Sequence, residues 1–144
     1  MEPLEIVFEV ACGREHAFDV WANRTSLWWP RDHTASGESL ASITYEPRVG
    51  GRIFERADDG TEHDWGEVLA WEPPARLLYL WHIAADRSEA TEVEVTFRDA
   101  GEATVVTIRH GGWDGLGADA EQRRTANRHG WAAVIEAFSP ACAS

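Results

Sequence analysis

Apolar and polar residues alternate from Leu4 onward in LEIVFEV. Ile6, Phe8 and Val10 share one face, and Glu5, Val7 and Glu9 share the other. A period of two predicts a half-buried strand. The period then lengthens. In REHAFDVWAN the residues Ala17, Phe18, Trp21 and Ala22 fall at helical spacing. A second short helix is expected from Ser26 through Trp29, capped by Thr25 or Ser26 and closed by Pro30. Residues 31–41 are polar without periodicity and read as a loop.

Six further strands follow: SITYEP, RIFERA, EHDWGEVLAW, LLYLWHIA, TEVEVTFRD and TVVTIRH. The cleanest alternation puts Val93, Val95 and Phe97 inward; in the next strand Val106, Ile108 and His110 share the inner face. Between the strands lie turn signals: VGG, the Asp-Gly hairpin of DDGT, the two prolines of EPPAR, and AGEA. GGWDGLG reads as a glycine-rich loop that gates a pocket. ADAEQRRTANRHGWAAVIEAF is the one long helix, and SPACAS, from about residue 139, is expected to fray. The chain is read as one domain over residues 1–144 of α+β class, with six to seven antiparallel strands curved around the last helix. A curved sheet gripping one helix leaves a hollow, where ligand pockets tend to form.

Composition changes this picture at three points. Eight tryptophans in 144 residues are unusual; each is a large apolar surface with one N–H that needs a partner when buried. The adjacent Trp28 and Trp29 stand where two neighbouring rings reach a core only at a corner. The net charge of −12, with every one of the 13 basic residues an arginine, argues against nucleic acid or an anionic membrane as partner. Lacking lysine, the chain has no Schiff-base chemistry. Cys12 and Cys142 are the only cysteines and are expected as free thiols in a cytoplasmic protein.

Five pieces, in order, resemble one known family: AFDVWANRTSLWWP, EPRVGGRI, GEVLAWEPPARLLYLW, TVVTIRHGGW and NRHGWAAVIEAF. The chain resembles the START-like (SRPBCC) superfamily and, within it, the small bacterial proteins similar to the C-terminal domain of the heat-shock-protein-90 ATPase activator. Glu46 stands where that family usually has Asp, and Asn127 where it has histidine. The resemblance implies a helix-grip fold, with the two short helices forming a V at one end of the sheet. One tryptophan of the Trp28–Trp29 pair then touches the cavity; the pattern leaves open which.

Strand parity supplies the candidate lining: Phe8, Ile43, Tyr45, Tyr79, Trp81, Val93, Val95, Phe97, Ile108 and His110. Trp113 follows in the glycine-rich loop. Counting along the last helix from Trp131 adds Asn127, Arg124 and Ala120 in one direction and Val134, Ile135 and Phe138 in the other. His63, Trp65 and Glu67 share a face; if it is inward, His63 and Glu67 become pocket polars, and a bulge at Gly66 would upset that count. His82 has the parity of Leu78 and Leu80, which is outward. Those two leucines suggest homodimerisation through the outer face. No histidine pair has metal-ligand spacing, and no cofactor motif is present, so neither metal nor cofactor is expected. The leading expectation is a protein that binds a small hydrophobic or aromatic molecule. The alternatives are a cyclase- or dehydratase-like enzyme with His110 as acid or base, and a co-chaperone-like interaction module.

Overall fold

The structure, a computed structural model, describes residues 1–83 and 85–143. Strand β1 (Leu4–Val10) leads into helices α1 (Arg14–Asn23) and α2 (Thr25–Trp28). Strands β2 (Leu40–Tyr45), β3 (Arg52–Ala57), β4 (Glu62–Glu72), β5 (Arg76–Trp81), β6 (Thr91–Ala100) and β7 (Ala103–Gly111) follow, and helix α3 (Ala120–Ala143) closes the chain. The seven strands form one sheet in the order β1-β7-β6-β5-β4-β3-β2, each pair antiparallel. Helices α1 and α2 carry the chain from one edge strand to the other. The sheet curls around α3, as the helix-grip expectation requires.

The periodicity places the core correctly. Val93, Val95, Val106, Ile108 and His110 are all fully buried, and Ala17, Phe18, Trp21 and Ala22 form the inner face of α1. On α3 the buried stripe is Ala120, Trp131, Val134, Phe138 and Cys142. This stripe extends past the point where fraying was expected. The helix runs to Ala143, and Cys142 is buried and disulfide-bonded to Cys12 across a Cα–Cα distance of 6.2 Å. The expectation of free thiols is thereby corrected. Two cysteines 130 residues apart in sequence do not announce their proximity; it arises because the end of β1 and the last turn of α3 meet.

Two other expectations fail for local reasons. The segment after Gly112 is not the irregular loop expected. It winds into tight 3-10 turns over Trp113–Asp119, with Trp113 buried and donating its indole N–H to the His110 carbonyl at 2.9 Å. His82, assigned outward by parity, is buried, because β5 ends at Trp81 and the alternation stops there.

A bulge in β4 decides the fate of another group. Ile53 pairs with Gly66 but Phe54 pairs with Asp64, so Trp65 is the extra residue. The extra residue shifts side-chain parity across the strand. Trp65 is fully buried, Glu67 sits outside beside its partners Arg52 and Leu80, and His63 is exposed. Glycine is required here: a Cβ on Gly66 would stand 1.8 Å from the Leu80 carbonyl oxygen. Gly66→Ala is therefore expected to separate β4 from β5 and to lower stability by about 1–3 kcal/mol, the usual cost of overpacking. Chemical denaturation checks this; an unchanged midpoint would show that the strands have room to spare.

Candidate functional site

Six of the eight tryptophans meet inside the grip. Trp28 contacts Trp21 at 5.3 Å between ring centroids, Trp21 lies near-parallel to Trp131 at 6.2 Å, and Trp131 lies near-parallel to Trp81 at 6.0 Å. Trp29 then touches Trp81 at 5.7 Å and Trp65 at 5.0 Å. The hollow implied by the fold is thus largely filled by the protein's own rings. Beside them lies a cleft of about 70 Å³ between α3 and the end of β5, lined by Trp29, His33, Trp81, Ile83, Asn127, Gly130, Trp131 and Val134.

The two neighbouring tryptophans divide their tasks. Trp28 donates its N–H to the Val20 carbonyl at 2.8 Å and packs on Trp21 and Phe138, so it seals the helix pair. Trp29 turns the other way and forms a wall of the cleft; its N–H reaches the His33 carbonyl at 3.2 Å. A corner is the one place where adjacent rings can face the core and the mouth at once.

The segment that carries Trp29 and His33 is held down by a residue that the reading of the sequence passed over. Glu55 shares the apolar face of β3 with Ile53 and Ala57 and is fully buried. Its carboxylate accepts the backbone N–H groups of Ala35 and Ser36, each at 2.8 Å, and the Trp65 indole N–H at 2.7 Å. Burial alone would push this carboxyl up. The hydrogen bonds from Ser36, Ala35 and Trp65 outweigh it and hold the pKa below the ordinary glutamate value. Arg31 adds a bond to the Leu40 carbonyl at 2.9 Å. An acid on the apolar parity of a strand was the available signal.

His110 is fully buried and both ring nitrogens are engaged. Trp131 donates its indole N–H to Nδ1 at 2.9 Å, and Nε2 lies 2.6 Å from the Thr91 hydroxyl. An indole N–H only donates, so Nδ1 is the unprotonated nitrogen and Nε2 carries the proton. That proton goes to Thr91, whose hydroxyl in turn donates to the Trp81 carbonyl at 3.2 Å. Burial pushes the His110 pKa down to about 3. Trp113 packs on its ring at 4.3 Å. The geometry is that of a neutral imidazole fixing Trp131 and β6.

The remaining candidates scatter. Asn127 and Trp131 line the cleft, but Arg124, one turn of α3 earlier, lies on the surface and bonds the carbonyl oxygens of Glu2 at 2.8 Å and Pro3 at 3.4 Å. Glu67 pairs with Arg87 at 2.8 Å on the outer face. His63, Glu67 and Arg124 are therefore outside the cleft: the Trp65 bulge turns Glu67 outward, and His63, paired with Glu55 near the β3–β4 hairpin, is exposed. Phe97 is deep, between Phe18 and Trp21. Tyr45 and Tyr79 face one another across the interior at 5.5 Å. Leu78 and Leu80 are half-buried, with Leu78 in a hollow beside Arg76, Glu94 and Arg109.

With this geometry in hand, comparison with known proteins settles the kinship. Residues 11–141 match the family described as activator of Hsp90 ATPase homolog 1-like protein. The chain belongs to that family. No curated protein matches it. Among solved structures, this member of the family is similar to the anthrahydroquino-γ-pyrone synthase Txn09, at 30% identity over 97% of this chain and 96% of that one, with a TM-score of 0.66. It shares its fold with CalC, a self-sacrificing resistance protein from Micromonospora echinospora, at 23% identity over 98% and 94% of the two chains and a TM-score of 0.73. The tryptophan-filled interior described above is a property of this chain's own residues. Among the described residues, no helix is long and apolar enough to cross a membrane.

Proposed function

We propose that this protein binds a planar aromatic molecule at the cleft between α3 and β5. The observation that carries the proposal is the wall of the cleft itself: three indoles, of Trp29, Trp81 and Trp131, with polar groups at the rim from His33 and Asn127. Indole faces and edges favour flat aromatic partners. The name of Txn09 points to a fused, oxygenated aromatic product, which supports the same class of ligand here. Ligand pockets usually span roughly 300–1,000 Å³, so a cleft of about 70 Å³ must widen to take a ligand of fused rings. Entry requires Trp29 to swing outward with the 31–39 segment.

Binding is favoured over acid–base catalysis by His110. Its two nitrogens are committed to Trp131 and Thr91, and its low pKa keeps it neutral across the physiological range. A co-chaperone role has no counterpart in the site.

Titration with 1,4-naphthoquinone, followed calorimetrically, tests the proposal. Saturable binding with one site per chain is expected. Gly130 lines the cleft from α3, and a Cβ there would meet nothing closer than the His33 ring at 4.0 Å. Gly130→Leu should therefore fill the cleft and weaken binding by about tenfold or more, while the helix gains up to ~1 kcal/mol from losing glycine. Absence of binding to the native protein, or unchanged binding in the folded variant, would remove the reading.

A further inference from the structure

The polar side chains that line the cleft are His33 and Asn127; no carboxylate and no guanidinium faces it. His33 ends the tight turn Arg31–His33 and is tied down by its backbone. Its N–H donates to the Pro30 carbonyl at 3.0 Å, and its carbonyl accepts the Trp29 indole N–H at 3.2 Å. The half-buried ring stands over α3. Its Nδ1 is the atom nearest to where a Cβ on Gly130 would lie, 4.0 Å away, and Gly130 is itself part of the cleft. Nε2 lies 3.8 Å from the Asp32 carboxylate. Among the described residues, Nδ1 has no hydrogen-bond partner.

The two side chains differ in what they offer. A carboxylate beside Nε2 favours the tautomer that carries its proton there, which leaves Nδ1 as an acceptor toward the cleft. Asn127 donates one amide N–H to the Arg123 carbonyl at 2.8 Å. The second N–H of that amide is left as a donor. Asn127 and Gly130 are three residues apart on α3 and share a face. The amide and the imidazole above Gly130 therefore flank the same mouth. An acceptor and a donor side by side match a group that both gives and takes a hydrogen bond, and a hydroxyl is the smallest such group. With no cation in the lining and a net charge of −12, the field favours a neutral hydroxyl over a carboxylate.

We propose that His33 and Asn127 form a hydroxyl-recognition pair at the mouth of the cleft, and that the bound aromatic is a neutral phenol. The inference rests on the reading of the cleft as an aromatic site and narrows its ligand class. The phenolic O–H donates to His33 Nδ1, and its oxygen accepts the free Asn127 N–H. The fused rings lie against Trp81 and Trp131, and the hydroxyl stays at the rim. The role is recognition: the proton remains on the phenol.

Calorimetric titration at about pH 8 compares 1-naphthol with naphthalene, which has the same rings and no oxygen, and with 1-methoxynaphthalene, which keeps the oxygen but has no proton to give. The native protein should bind 1-naphthol about tenfold more tightly than either, the effect of one to two hydrogen bonds. In His33→Phe, which keeps a flat ring without the acceptor, the ratio of naphthol to naphthalene affinity should fall to about one. If the larger ring blocks naphthalene as well, His33→Ala, which frees space, carries the same comparison. Equal affinity for 1-naphthol and naphthalene, equal affinity for 1-naphthol and its methyl ether, or a preference that survives the loss of the imidazole overturns the pair while leaving the cleft as an aromatic site. Failure of all three probes to bind the native protein overturns the cleft reading, and the pair with it.

Discussion

Between pH 6.5 and 4.5 the protein is expected to lose about 2–3 kcal/mol of stability through His110 alone. The unfolded histidine takes up a proton near its ordinary value of 6.5, whereas burial holds the folded one down to about 3. In between, the unfolded state binds a proton that the folded state refuses. The stabilisation is complete above 6.5 and is lost as pH falls toward the folded value, at about 1.4 kcal/mol per pH unit. Denaturation midpoints at pH 7.5, 5.5 and 4.5 measure it. His110→Gln should start less stable, because the Trp131 N–H and the Thr91 hydroxyl lose well-placed partners, but its slope over this window should be flatter. Nitrogen NMR provides a direct check: Nε2 should stay protonated and Nδ1 unprotonated from pH 8 to 5. A His110 ring titrating near 6.5 would contradict the buried network.

Removal of the Glu55 carboxylate should have an effect of similar size by a different route. Three N–H groups end on it, from Ala35, Ser36 and Trp65. Glu55→Gln keeps the shape but sets an amide N–H₂ against donors. At roughly 1–3 kcal/mol for each buried group left unmet, a loss of about 3 kcal/mol or more is expected, partly offset where water reaches the loop. For a chain of this size that is a drop of roughly 10 °C in Tm. The depressed carboxyl pKa fixes the pH dependence. Its contribution is present above the unfolded glutamate value and is lost as pH falls through the lower folded value. Hydrogen exchange at the Ala35 and Ser36 amides should accelerate in the variant even where the protein remains folded. A Tm within a degree or two of native would mean that the carboxylate does not hold the segment.

The fold was legible because its signals are local and repeated. Strict alternation in TEVEVTFRD and TVVTIRH, helical spacing around Trp21 and Trp131, and Asp-Gly at a hairpin each depend on a few neighbouring residues. The site was less legible because it depends on interruptions. One inserted residue at Trp65 turned Glu67 outward, the nearness of the hairpin end left His63 exposed, and the end of β5 at Trp81 freed His82 from its parity. The Cys12–Cys142 bond and the meeting of Trp21 with Tyr45 and Tyr79 are long-range encounters with no spacing rule behind them. Glu55 was within reach of sequence reasoning, since an acid between Ile53 and Ala57 on an inward face needs partners.

The central claim is that Trp29 and the indoles behind it form an opening aromatic cleft, and the most direct measurement is fluorine NMR of protein labelled with 5-fluorotryptophan, with each resonance assigned by single Trp→Phe variants. On addition of 1,4-naphthoquinone the signals of Trp29, Trp81 and Trp131 should shift most. The signal of Trp71, which packs against Phe18 on the α1 side, should stay in place. A shift confined to Trp71, or none in the three cleft tryptophans, would contradict the cleft as the binding site.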